Sequence, residues 1–181
     1  EIISALFGYG SFDEKAVSNS ANALFYFGLG LPAFALIKVF STFFFANNDT
    51  KTPFYISLIS VILNIFISVY YFKSIGFIII PIATTISSWF NSLILFIFLK
   101  NRALFEFDKN FLARLIKIIF ASFAMGIFFN YLTLNFESHL SYEHQLKSFY
   151  LLLSVFLSLS FYLFISLLIN AFKYEDINLK Y

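Results

Sequence analysis

Five long apolar stretches constrain this chain more than any other feature: residues 21–46, 54–72, 77–99, 112–134 and 148–171. A helix needs about 20 mostly apolar residues to cross the bilayer core. The competing membrane architecture is a β-barrel, whose segments alternate apolar and polar residues over about ten positions. The stretches here are continuous apolar runs, so the spacing predicts helices. The separators carry the charges and turn formers: residues 47–53, 73–76, 100–111 and 135–147. Short connections make consecutive helices antiparallel neighbours. The expected fold is all-α, a polytopic transmembrane helix bundle of five spans. Residues 1–20 precede the first span on the outer side, 21–100 hold three helices, and 101–181 hold two more and a short polar tail.

Composition agrees with a lipid solvent. The chain is 60% hydrophobic and only 12% charged, with a mean hydropathy of +0.84. A soluble domain carries about 25% charged residues to clothe its surface, so a soluble globular fold, a disordered chain and a coiled coil are excluded. There are no cysteines, hence no disulfide framework and no thiolate chemistry. A net charge of +2 gives no reason to expect a nucleic-acid partner. The opening EIISALFGYGSF has no basic region followed by a short apolar segment and cleavage site, and reads as part of a longer protein.

Lysine and arginine set the expected orientation. One side of a five-span bundle holds Lys15, Lys73 and Lys147; the other holds Lys51, Lys100, Arg102, Lys109, Arg114, Lys117, Lys173 and Lys180. The richer side is expected to be cytoplasmic, which places the C-terminus inside.

Few residues could carry chemistry. Asp49-Thr50-Lys51-Thr52-Pro53 reads as a tight turn opening the second span, with Thr52 capping free N–H groups and Pro53 at the first helical position. A gating loop is the sharper reading of the same residues. Lys38 is the charge well inside a span, about 12 Å from its cytoplasmic end at 1.5 Å per residue. It either snorkels to the interface or lines a water-filled pathway and meets an anion. It shares a broad face with Tyr26, Gly30, Phe34 and Ser41, while Pro32 should kink the same helix. Ser57, Ser60, Asn64 and Ser68 fall within about 80° of one another on the second span. Thr84, Ser88 and Asn91 share a face of the third. Such faces serve helix packing in lipid or hold a polar ligand, and a midplane Asn64 needs a partner in either case. His139, Glu143 and His144 in the outer loop fit no strong metal motif, and no nucleophile–base pair or phosphate loop supports an enzyme.

The run GLGLPAFALIKVF from Gly28 to Phe40, the FFANNDTKTP that follows shortly after, the opening LFGYGSFD and GFIIIPIATTISSWFNSLIL from Gly76 resemble the MurJ (MviN) family of lipid II flippases. The resemblance covers residues 5 to 100; beyond that only the two-helix pattern matches. It implies a fourteen-helix transporter of the multidrug/oligosaccharidyl-lipid/polysaccharide exporter superfamily, of which this chain is helices ten to fourteen, the first three in the second lobe. The implied activity is alternating-access movement of lipid II across the bacterial inner membrane. The implied partners are lipid II, membrane lipids and the missing N-terminal lobe, which holds most of the family's headgroup-binding residues. The last two helices are implied to border a hydrophobic groove for the polyprenyl tail. Coupling to sodium or the membrane potential is also implied. Asn64 and Thr84 resemble two ligand positions of sodium-binding members and the Ile80 carbonyl a third, while Ser68 stands where those members have an acid. The DTKTP turn is also similar to one in multidrug and toxin extrusion transporters, which with polysaccharide-lipid exporters and a non-transporting scaffold form the alternatives. In the drug transporters a glycine-containing segment precedes the turn; here Ala46-Asn47-Asn48 does.

Overall fold

A computed structural model describes residue 3 and residues 14–104, 109–140 and 146–171. It holds α1 (Glu14–Ala46), α2 (Lys51–Ile75), a 3-10 turn (Gly76–Ile78), α3 (Ile79–Asn101), α4 (Lys109–Asn135), the single turn α5 (Glu137–Leu140) and α6 (Lys147–Leu168). No strand occurs among the described residues. In hydrocarbon every backbone N–H and C=O needs an internal partner, and a helix supplies all of them within one segment. The side chains follow the same solvent. Phe66, Val69 and Tyr70 on α2, and Phe123 on α4, are more than half exposed, which water would penalise and lipid does not.

Four stretches of the described residues, rather than five separate ones, are long and apolar enough to cross a membrane: Lys15–Ala46, Lys51–Asn101, Leu112–Asn135 and Lys147–Leu168. The second is 51 residues long because helix runs through the expected separator: Lys73, Ser74 and Ile75 belong to α2. The chain reverses at Gly76, whose φ of 78° and ψ of −155° lie in a region open essentially to glycine. The partners across the fold confirm the reversal. Asn64 bonds Thr84, and seven residues earlier Ser57 accepts from Asn91, seven residues later. That constant sum of positions is the signature of an antiparallel pair, so the 51-residue stretch is a hairpin of two spans.

The chain divides into two compact units, Ser18–Glu106 and Glu1–Val17 with Phe107–Tyr181. In the first, Phe40 and Phe44 of α1 pack with Ile56 of α2 and Leu95 and Leu99 of α3. Farther toward the start of α1, its backbone is itself an acceptor surface. Thr85 Oγ1 donates to the Tyr26 carbonyl at 2.6 Å and Trp89 Nε1 to the Leu29 carbonyl at 3.0 Å. Gly30 allows this approach, since a Cβ there would lie 3.0 Å from Thr85 Oγ1. The helix stays continuous through Pro32. Pro32 has no N–H for the Gly28 carbonyl, and the donors from α3 reach the neighbouring carbonyls of Tyr26 and Leu29.

In the second unit α4 and α6 run antiparallel. The Phe128 and Phe161 rings stack at 4.3 Å, and Lys117 Nζ donates to the Asn170 carbonyl at 3.5 Å. Ser154, Ser158 and Ser166 are buried along one face of α6. Ser154 and Ser158 donate to the carbonyls four residues back, at 2.8 and 2.7 Å, which frees small faces for close helix packing. His139 rests against Tyr150, ring to ring at 4.4 Å; Glu143 and His144 lie outside the described residues, as does the tail with Lys173 and Lys180.

Gly76 has nothing within 4 Å of the place a Cβ would take, so its requirement is purely one of backbone conformation. Gly76→Ala should therefore destabilise the α2–α3 hairpin by about 1–3 kcal/mol. The check is thermal unfolding of the purified protein in detergent. An unchanged midpoint would show that the turn adopts another conformation.

Candidate functional site

The polar faces of α2 and α3 meet in an open cleft of about 400 Å³, with α1 along its third side. Ser57, Ser60 and Asn64 come from α2, Thr84, Ser87, Ser88 and Asn91 from α3, and Phe34 and Ile37 from α1. Every polar residue in the lining is neutral. Helical periodicity places the α2 set and Thr84, Ser88 and Asn91 on facing sides. Ser87 also belongs to the cleft; it lies about 60° from Thr84 around the helix and marks the edge of the same polar face.

Asn64 is the hub. Its Nδ2 donates to Thr84 Oγ1 at 3.1 Å and to Ser87 Oγ at 3.2 Å. Thr84 Oγ1 passes its own hydrogen to the Ile80 carbonyl at 2.8 Å. The three residues read as cation ligands are thus joined in one hydrogen-bonded chain, Asn64 to Thr84 to Ile80. The carboxamide and hydroxyl hydrogens point along that chain, and no carboxylate lines the cleft. Ser68, at the position that carries an acid in sodium-binding members of the resembled family, has a buried hydroxyl without a partner and lies outside the lining. No group of three or more His, Cys, Asp or Glu that could hold a metal occurs among the described residues. The contacts among these residues form an interhelical hydrogen bond, worth about 0.6 kcal/mol in a membrane protein, and the lining supplies neutral oxygens without a carboxylate to balance a cation's charge. Lys38 is exposed on α1, one residue past the Ile37 that lines the cleft, and takes no part in the lining.

At the end of the hairpin away from Gly76, the expected turn motif forms a polar clip. Asp49 caps α2, correcting the assignment of that role to Thr52. Asp49 Oδ1 accepts from the Thr52 backbone N–H at 3.0 Å, and Oδ2 accepts from the Thr52 hydroxyl at 2.6 Å. Pro53 is the third helical residue, not the first, because α2 begins at Lys51. It stands just before Phe54, whose N–H makes the first bond of the helix, to the Thr50 carbonyl. The missing proline N–H is therefore one that had no intrahelical partner. Asn48 supplies the positive φ, 57°, that ends α1 and turns the chain toward Asp49. Its neighbours close the helix, Asp49 N–H reaching the Phe44 carbonyl at 2.9 Å. Asparagine tolerates this left-handed conformation, so glycine is not needed there.

Arg102, just past α3, completes the clip. It forms a salt bridge with Asp49 Oδ2, donates to Thr52 Oγ1 at 3.0 Å, and lies 5.6 Å from the centre of the Phe44 ring. In the sequence Arg102 is one of several charges in the separator 100–111, with no pattern that marks its partner. Its partner became visible once the hairpin brought the C-terminus of α3 beside the N-terminus of α2, where a cation and an anion each oppose the local helix dipole. The hydrogen bonds from the Thr52 hydroxyl and backbone, followed by the bond and charge of Arg102, hold the Asp49 carboxyl well below the usual carboxylate range.

Comparison with known proteins gives one answer. The family model "Lipid II flippase MurJ" matches residues 1–156. The chain is 39% identical over 90 residues to a probable lipid II flippase MurJ of Rickettsia prowazekii, covering 50% of this chain and 18% of the relative. It is 36% identical over 125 residues to one of Rhizobium meliloti, covering 69% and 23%. It is 30% identical over 153 residues to one of Buchnera aphidicola subsp. Baizongia pistaciae, covering 83% and 30%. The chain spans less than a third of the length of these relatives.

A carboxyl whose folded pKa is depressed stabilises the fold above its unfolded pKa, and that stability is lost as pH falls toward the folded value. Asp49→Asn should thus lower the thermal midpoint at neutral pH, and the deficit should shrink below about pH 4, where the unfolded carboxyl takes up its proton. Unfolding curves of both proteins at neutral and acid pH check this. A deficit independent of pH would remove the charge of Asp49 from the account.

Proposed function

The chain belongs to the lipid II flippase MurJ family, and we propose that it is the C-terminal portion of a transporter that moves the lipid-linked peptidoglycan precursor across the bacterial inner membrane by alternating access. The observation that carries this reading is the family match across residues 1–156, which includes all three helices of the polar cleft. The seven neutral polar side chains turned inward between apolar helices are more than the interhelical bonds of Asn64 and Asn91 use, which supports a polar pathway beside the packing role. The helices of residues 21–100 contribute to the second lobe, which works against a first lobe outside this chain. Two lobes rocking about a site near the midplane are the general basis of alternating access. The helices of 101–181, apolar on their exposed faces, border the path of the polyprenyl tail. The excess of lysine and arginine on one side sets the C-terminus in the cytoplasm. The protein acts as a transporter and not as an enzyme; its partners are the lipid precursor, the surrounding lipids and the first lobe.

Lys38 has a place in this scheme. A lysine facing hydrocarbon near mid-span costs about 2.5–3.5 kcal/mol. Turned from the three-helix unit toward the first lobe, it instead meets the anionic pyrophosphate of the substrate. In the full-length protein Lys38→Ala should insert normally yet fail to restore growth of cells depleted of their own flippase. Normal growth with the alanine variant would make Lys38 a snorkelling residue and remove it from the pathway.

A further inference from the structure

The cleft among α1, α2 and α3 holds hydrogen-bonding capacity that the protein leaves unused. The Ser60 hydroxyl donates to the Ile56 carbonyl at 2.9 Å, Ser87 to the Thr84 carbonyl at 3.1 Å, and Ser88 to the same carbonyl at 2.7 Å. Each hydroxyl hydrogen is committed to the residue's own helix; the Ser87 oxygen also accepts from Asn64, while those of Ser60 and Ser88 remain available as acceptors. Asn91 is only 7% exposed, yet its carboxamide is half used: Nδ2 reaches Ser57 Oγ at 3.4 Å and Oδ1 has no partner. Turning the amide round exchanges the two ends and still leaves one of them without a partner. A buried amide group left in this state is destabilising, so a ligand that supplies the missing bond is stabilised at that position.

The chemistry of the lining selects the ligand. An acyl chain would leave every acceptor dry. An anion meets oxygen lone pairs and no cation among the lining residues, and a metal ion meets no carboxylate. A hydroxyl group both donates and accepts, and so serves Asn91 in either orientation of its amide. The cleft, about 400 Å³, has room for on the order of ten such groups at about 30 Å³ for each water.

We propose that this cleft is a binding site for neutral hydroxyl groups, with Asn91 as its anchoring side chain. Water and the sugar hydroxyls of a translocated headgroup share that chemistry; the sugar as a source rests on the function proposed above, and occupancy by hydroxyl groups does not.

The test is cysteine accessibility in the full-length protein in native membranes, with any cysteines outside this segment replaced; the segment itself has none. The probe is a small, charged, water-soluble methanethiosulfonate. Ile59→Cys is the control, because Ile59 is 51% exposed on α2 and lies outside the cleft lining. Thiolate forms only where water reaches, so Ser57→Cys and Ser60→Cys should react at least about tenfold faster than Ile59→Cys. Adding Asn91→Leu to Ser57→Cys should slow the reaction. Rates equal to the Ile59→Cys control would overturn the site, and a rate unaffected by Asn91→Leu would overturn the anchoring role. With lipid-linked precursor added, slower labelling assigns the hydroxyl groups to the sugar and unchanged labelling assigns them to water. Accessibility does not depend on transport, so a failed flippase reading and a failed site give different results.

Discussion

Two carboxamides fix the register of the α2–α3 hairpin, and the cleft depends on that register. Asn64 and Asn91 reach across from opposite helices at positions seven residues apart along each strand of the hairpin. Lipid gives helices no hydrophobic reason to prefer one face over another, because the chains around them are as apolar as leucine. Small residues and interhelical hydrogen bonds make the choice instead. A shift of one residue along the hairpin would carry Asn64 away from Thr84 and Ser87 and leave several buried polar groups unpaired. The register also brings Arg102 to Asp49, so the two ends of the hairpin that lie farthest from Gly76 are joined to the end of α1. A single antiparallel fold thus places a neutral polar cleft in its middle and a charged clip at its foot.

The apolar packing supports this arrangement without specifying it. Phe40 and Phe44 are buried against α2 and α3, whereas Phe45, the next residue, is half exposed. Nothing in the residue type separates them, since both environments are hydrocarbon-like. What separates them is the face of α1 they occupy: Phe40 and Phe44, four residues apart, point at the hairpin, and Phe45 lies about 100° further round the helix.

The same physics explains what the sequence disclosed. The apolar runs are long because the bilayer is thick, and their helical nature was legible from length alone. The polar faces of Ser57, Ser60 and Asn64, and of Thr84, Ser88 and Asn91, were legible because polar residues are rare enough on these helices for a period of 100° to stand out. The separator at residues 73–76 is shorter than its polar residues suggest, since Lys73 to Ile75 remain helical and only Gly76 breaks the pattern. The carboxylate that accepts at the start of α2 lies three residues before Thr52, at Asp49. Asp49 and Thr52 are both good capping residues, and only the geometry shows that the carboxylate accepts while the hydroxyl donates. The bonds from Thr85 and Trp89 to the carbonyls of α1 were not legible, because no periodicity predicts which backbone a polar side chain will reach across a helix pair.

The function proposed above, movement of a lipid-linked sugar across a membrane by the full-length protein, is open to direct measurement. Its most direct test is translocation by the full-length protein in vesicles whose lipid-linked precursor bears a fluorescent headgroup, with a membrane-impermeant quencher outside. The account predicts that precursor shielded in the inner leaflet becomes quenchable faster than in protein-free vesicles. Equal rates with and without correctly inserted protein would contradict it.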